Sequence, residues 1–214
     1  TEEFLAAAKN LGIEFEENDV ARLGSFLSLL AGANELLNLT SIREPAASWM
    51  RHVLDSLTLL PVIAELPGVN VEGDAATTQS AEQREGPTMI DVGTGGGLPG
   101  MPLAIVCPAL RVTLLDSTAK KCDFLRHAAQ RLNLRNVEVL CGRAETVGHD
   151  RGVRDVRNIA LRQNPRREAY DLVTARAVGR LATLLELTVP FAKKGGTIAL
   201  IKGAKGDEEL EEAK

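Results

Sequence analysis

Two periodicities divide the chain. Up to about residue 60, apolar side chains recur at helical spacing, with Leu23, Phe26, Leu27 and Leu30 followed by Leu36 and Leu37. That is the pattern of a helix burying one stripe. Asp19 is placed to cap this helix and NLTS at 38–41 to end it. A second helix should follow Pro45 and carry Trp49, His52, Val53, Leu57 and Leu60 along one side before Pro61. Residues 70–87 (NVEGDAATTQSAEQREGP) are small, polar and aperiodic, as a solvated loop is. Beyond them short apolar runs replace the helical stripe. The expected order is strand 89–92, a glycine cluster, a helix from near Pro99, strand 111–115 ending in Asp116, helix 118–132 and strand 137–140. A long connection then leads to strand 170–175, helix 179–190 and strand 197–202. Strict alternation of strand and helix predicts a parallel sheet covered on both faces, a doubly wound α/β fold.

With 214 residues the chain is long enough for one such domain and a helical appendage, and it offers no second core. The expected division is a helical extension at 1–68, a flexible loop at 69–88 and a ligand-binding α/β domain at 89–214, sharing one core. A second irregular stretch, 148–168, carries Arg151, Arg154, Arg157, Arg162, Arg166 and Arg167 against Asp150, Asp155 and Glu168. Loops this long are usually functional or disordered.

Charge changes the picture only when it is resolved along the chain. The net charge of −4 argues against a polyanionic partner, yet residues 111–181 hold 15 Lys/Arg against 8 Asp/Glu. A local basic surface matters more for phosphate binding than the sum. No apolar run reaches the roughly 18 to 20 residues of a membrane span, and the acidic start lacks a signal peptide's basic flank, so a cytoplasmic protein is expected. Cys107, Cys122 and Cys141 are odd in number and fit neither a disulfide framework nor a CxxC site. With His52, His127 and His149 equally scattered, no metal site is expected.

The most informative segment is MIDVGTGGGLPG at 89–100. A strand ends, glycines let the backbone turn sharply, and Pro99 and Pro102 suit the first turn of a helix whose N–H groups face the same spot. Gly95, Gly97 and Gly100 also satisfy the dinucleotide pattern GxGxxG, with Asp116 about twenty residues on, so a nicotinamide cofactor passes this test too. Asp91, just before the glycines, favours the alternative. A carboxylate there opposes a pyrophosphate but suits the cationic methionine end of S-adenosylmethionine. The two prolines remove N–H donors that a dinucleotide would use.

DVGTGGGLPG (91–100), LLDS (114–117), RAET (143–146), TARAV (174–178) and IKG (201–203), preceded by NLT (38–40) and RHVLDS (51–56), resemble in order and spacing the GidB/RsmG family. Its members are small-subunit ribosomal RNA guanine-N7 methyltransferases. The resemblance implies a Rossmann-like class I methyltransferase fold with S-adenosylmethionine as cofactor. It implies that Gly93, Gly95 and Leu98 line the cofactor with Asp91 nearby, that Asp116 and Ser117 hold the ribose side, and that Ala144 and Glu145 meet the adenine. Arg143, Arg176 and Lys202 would act at the cofactor or the RNA, Arg176 at both. The family pattern continues past the IKG strand with a helix and two further strands, whereas this sequence stops in DEELEEAK at 207–214, so the fold is expected to be truncated after its fifth strand.

Such a reaction would need little acid–base machinery, since guanine N7 already presents a lone pair. Neither an Asn/Asp-Pro-Pro-aromatic motif after the 170–175 strand nor a Pro-Cys nucleophile is present. Arginine suits the partner, because it pairs bidentately with phosphate or with guanine O6/N7. The expected partner is small-subunit ribosomal RNA or its particle, bound by a monomer. His52 and Asp55, three apart, read as a local hydrogen-bonded pair. The residues alone leave open a small-molecule methyltransferase, an NAD-dependent oxidoreductase and a noncatalytic RNA-binding factor.

Overall fold

The computed structural model describes residues 1–67, 86–149, 166–176, 179–203 and 206–212. Most of the polar stretch 70–87 and of the arginine-rich stretch 148–168, including Arg151, Arg154, Arg157 and Arg162, lies outside the described residues.

Five strands form one parallel sheet: β1 (Thr88–Val92), β2 (Arg111–Asp116), β3 (Val137–Cys141), β4 (Tyr170–Arg176) and β5 (Ala192–Ile201), in the order β3-β2-β1-β4-β5. The two-residue period of the strands sorts their side chains between two buried layers. Met89, Leu114 and Leu172 belong to one cluster, and their neighbours Ile90, Leu115 and Val173 to the other. Because both faces are covered, β1 and β2 are buried almost throughout, and that is why the sequence shows them without a polar–apolar alternation.

The first layer is built by α2 (Asp19–Leu37), α6 (Gly100–Val106) and α7 (Ala119–Arg131). Phe4, Leu23, Phe26, Leu30, Val53 and Leu57 of the appendage are buried in the same cluster as Leu103 and Leu125. Arg22 of α2 donates to the carbonyls of Ile105 and Leu132, placing a cation over the ends of α6 and α7. The opposite layer holds α8 (Ala144–His149) and α9 (Leu181–Thr188), through Val147 and Leu184.

Several elements differ from the sequence expectation. Asn18, in a left-handed conformation, precedes α2, while Asp19 lies inside it and accepts from the Glu16 amide. A short α1 (Glu2–Asn10) comes before it. The helix expected after Pro45 is composite: α3 (Pro45–Ser48), a π-helical turn over Trp49–Leu54, α4 (Asp55–Leu57) and α5 (Leu60–Ala64). Pro61 does not end it. It sits in the first turn of α5, where its missing N–H has no helical partner to lose. The long connection after β3 contains α8. β5 starts five residues early, at Ala192, and its pairing with β4 shifts register between Tyr170 and Leu172. A last helix, α10 (Gly206–Glu212), follows it. No described helix is long and apolar enough to cross a membrane.

Gly97 has φ of +89° and a Cβ there would lie 2.6 Å from Met101 Cγ and 2.9 Å from Leu125 Cδ2. Gly97→Ala therefore combines left-handed strain with overpacking, and a loss of about 2 kcal/mol or more is expected. Urea unfolding of the two proteins would measure it; equal midpoints would mean the turn tolerates a side chain.

Candidate active site

Chain order reverses between β1 and β4, and crevices at such a point, at the carboxyl ends of the strands, are where open α/β sheets bind ligands. The glycine turn lies here. The Gly93 and Thr94 amides both donate to the Leu115 carbonyl, at 2.8 and 3.1 Å, fastening the turn to the end of β2. Gly93 and Gly95 have φ of +70° and +58°, conformations that suit glycine. A Cβ on Gly95 would find nothing nearer than the Gly93 carbonyl oxygen at 4.0 Å, so the space over the turn is open.

Asp91 is fully buried beneath this turn. Its Oδ2 accepts from the Thr94 hydroxyl at 2.6 Å and from the Gly100 amide at 3.0 Å, and the Thr174 hydroxyl lies 3.4 Å from Oδ1. Burial pushes its carboxyl up to about 6, against the lowering effect of those hydrogen bonds and of the Arg176 cation. Leu98 is likewise inside, with its side chain in the first hydrophobic layer. Of the residues expected to meet a cofactor, these two are buried and not open to the space over the turn.

Asp116 ends β2 beside the turn, nearly buried. Its Oδ2 accepts from the Gly95 amide at 3.0 Å and its Oδ1 from the Thr118 amide at 2.8 Å. Ser117 is exposed next to it. Across the neighbouring strand, Arg143 and Glu145 are exposed and Ala144 half-buried where β3 gives way to α8. The Arg143 carbonyl accepts the Thr146 and Val147 amides, starting that helix. No group of His, Cys, Asp and Glu fit to hold a metal ion occurs among the described residues.

Arg176 and Lys202 lie on the other side of the switch point, at the ends of β4 and β5. They line a cleft of about 720 Å³ together with Leu39–Ile42, Arg51, His52 and Asp55 of the appendage. Arg176 Nη1 donates to Asp55 Oδ2 and to the Arg51 carbonyl, both at 3.2 Å. Lys202 Nζ donates to the Gly179 carbonyl at 2.6 Å and pairs with Glu209 Oε2 at 2.8 Å.

The expected His52–Asp55 pair is not formed. His52 Nε2 instead meets the Thr40 hydroxyl at 2.9 Å, leaving Asp55 for Arg176. Burial, and then the Arg176 charge, hold the imidazole below its usual pKa, so it is neutral. Asn34 pins Thr40 in turn, donating to its carbonyl and accepting its amide, each at 2.8 Å. Thr94, Thr40, Asn34 and Asp55 are the residues that reasoning from sequence missed as contributors. All but Asn34 lie within the motifs that carried the resemblance, so the signal was present without its geometry.

This is a Rossmann-like α/β fold with a cleft at its switch point. The family model described as rRNA small subunit methyltransferase G matches residues 73–214, and the chain belongs to that family. Curated relatives carry the same designation, Ribosomal RNA small subunit methyltransferase G. The protein of Sorangium cellulosum is 43% identical over 203 residues, covering 95% of this chain and 72% of its own length. That of Staphylococcus aureus is 38% identical over 215 residues, covering 100% of this chain and 77% of its own. That of Leuconostoc citreum is 34% identical over 209 residues, covering 98% and 75%.

Because the folded Asp91 titrates near 6 rather than 3.8, the folded state binds more protons than the unfolded state between those values. Stability relative to an uncharged Asp91→Asn variant therefore falls as pH rises through that window, by an amount on the order of 3 kcal/mol. The melting temperature of the wild type minus that of Asp91→Asn should fall from pH 4 to pH 7 and then level off. A difference independent of pH would show that the buried carboxyl does not titrate there.

Proposed function

We propose that the chain transfers a methyl group from S-adenosylmethionine to N7 of a guanine in small-subunit (16S) ribosomal RNA, acting as a monomer in the cytoplasm. Family membership supplies the reaction class. The observation that carries the site is convergence: the glycine turn, Asp116, Arg143, Arg176 and Lys202 come from five different strand ends and stand along one edge of the sheet. The division into extension 1–68, loop 69–88 and cofactor-binding domain 89–214 belongs to the same reading.

The residues present fit the cofactor. The open space above Gly95 admits a chain passing close to the backbone, and the buried Asp91 charge beneath the turn favours a cation there. Asp116 and Ser117 would hold the ribose hydroxyls, and Ala144 and Glu145 would flank the adenine. When bound, S-adenosylmethionine supplies a methyl group already activated by its sulfonium. The work left to the protein is to place guanine N7 in line with that methyl, about 3 to 3.5 Å away, and positioning of this kind contributes roughly 7 to 11 kcal/mol in favourable cases. No general base is required.

Arg176, Lys202 and Arg143 are the groups that would position the RNA. One contact open to arginine is ruled out by the chemistry itself. A guanidinium bonded to N7 would occupy the lone pair that must take the methyl, so Arg176 would grip phosphate or O6. The cleft lies between the appendage and the sheet and suits an unstacked base more than a duplex.

Incubation with methyl-labelled S-adenosylmethionine and small-subunit particles or RNA lacking the modification is expected to label one guanine at N7. Bound cofactor with no label on either substrate would reject the RNA reading in favour of a small-molecule acceptor or a noncatalytic role. Arg176→Ala is expected to lower kcat by about a hundredfold or more while cofactor affinity, read by calorimetry, stays within about twofold. Undiminished turnover would remove Arg176 from the mechanism.

A further inference from the structure

The pair between Asp55 and Arg176 joins residues 121 positions apart and bridges the appendage to the carboxyl edge of the sheet. Both hydrogen bonds of Arg176 use Nη1, one to the Asp55 carboxylate and one to the Arg51 carbonyl. Its Nε and Nη2 have no partner among the described residues. These two N–H groups form the edge of a guanidinium that grips an oxyanion or a carbonyl in a fork. The appendage thus anchors the side chain by one nitrogen and leaves the recognition edge for something else. The Arg176 side chain is 18% exposed and the Asp55 side chain 40%, so the pair borders the cleft where a partner can reach it.

Charge gives the pairing a second consequence, which rests on the proposed transfer to N7. In that step the N7–carbon bond forms, the sulfur–carbon bond breaks with its electrons going to sulfur, and the positive charge passes from sulfur to the base. The guanine is neutral before the step and cationic after it. A lone guanidinium at O6 or the adjoining phosphate opposes the charge that develops, whereas a guanidinium paired with a carboxylate does not. We propose that Asp55 is a positioning residue for methyl transfer: it anchors Nη1 of Arg176 so that the Nε/Nη2 edge meets the target nucleotide, and it offsets the arginine's charge beside a base that becomes a cation.

A merely structural ion pair and a positioning residue predict different kinetics. Asp55 is on a helix surface and half-exposed, so Asp55→Asn should fold with little change in melting temperature. In this variant kcat should fall about tenfold or more, with cofactor affinity unchanged and KM for RNA unchanged or lower, because one more uncompensated cation favours the phosphate backbone. Asp55→Glu should recover part of the rate. In an Arg176→Ala background the further change Asp55→Asn should cost less than about twofold, because Asp55 acts through that arginine. A full kcat in Asp55→Asn, a loss confined to KM, or undiminished further loss in the double variant would overturn the proposal. Absence of guanine labelling by the unaltered protein, with cofactor bound, would instead fell the parent reading and this inference with it.

Discussion

A carboxylate without access to water holds the glycine turn in place. Asp91 ends β1 and, from beneath, takes the Thr94 hydroxyl on one side of the turn and the Gly100 amide on the other. Those two bonds fix where the turn begins and where α6 starts. A buried ionisable group is costly unless it is bonded, and here the bonds it makes are the ones that shape the site. The turn in turn fixes Asp116, whose carboxylate reaches back to Gly95. Geometry at the glycine turn is therefore set by a residue buried beneath it.

The appendage is part of the same construction. Leu23, Phe26 and Leu30 of α2 pack in one cluster with α6 and α7, so the segment that supplies Thr40, His52 and Asp55 is fixed to the helices behind the glycine turn. Asn34, bonding both the amide and the carbonyl of Thr40, carries that fixity into the loop, and Thr40 passes it to the neutral His52 ring. One wall of the cleft is thus the sheet edge and the other is helix and loop, the loop held by the bonds between Asn34 and Thr40.

Much of this was legible in the sequence because burial leaves a periodic trace. The runs at 89–92, 111–115, 137–140 and 170–175 fell on β1 to β4, and the turn at 93–97 was marked by glycines whose conformation few other residues adopt. What could not be read depends on distant partners. Nothing local distinguishes a histidine that bonds an aspartate three residues on from one that bonds Thr40 twelve residues back, and tertiary packing chose the second. The π-helical turn at Trp49–Leu54 leaves hydrophobic spacing nearly intact, which is why the segment reads as one helix. Asp91 and Leu98 were recognisable by motif but not by depth, since a motif records order along the chain and not which side of the backbone faces the ligand.

Lys202 and Arg176 both line the cleft, and each is met by an acid from a different segment of the chain. Asp55 comes from the appendage and Glu209 from α10, where its Oε2 also accepts the Leu181 amide and so starts α9. The electric field offered to an incoming polyanion consequently depends on how the appendage and α10 dock as well as on the cleft's own cations. A shift of either segment would therefore retune that field while leaving every arginine and lysine in place.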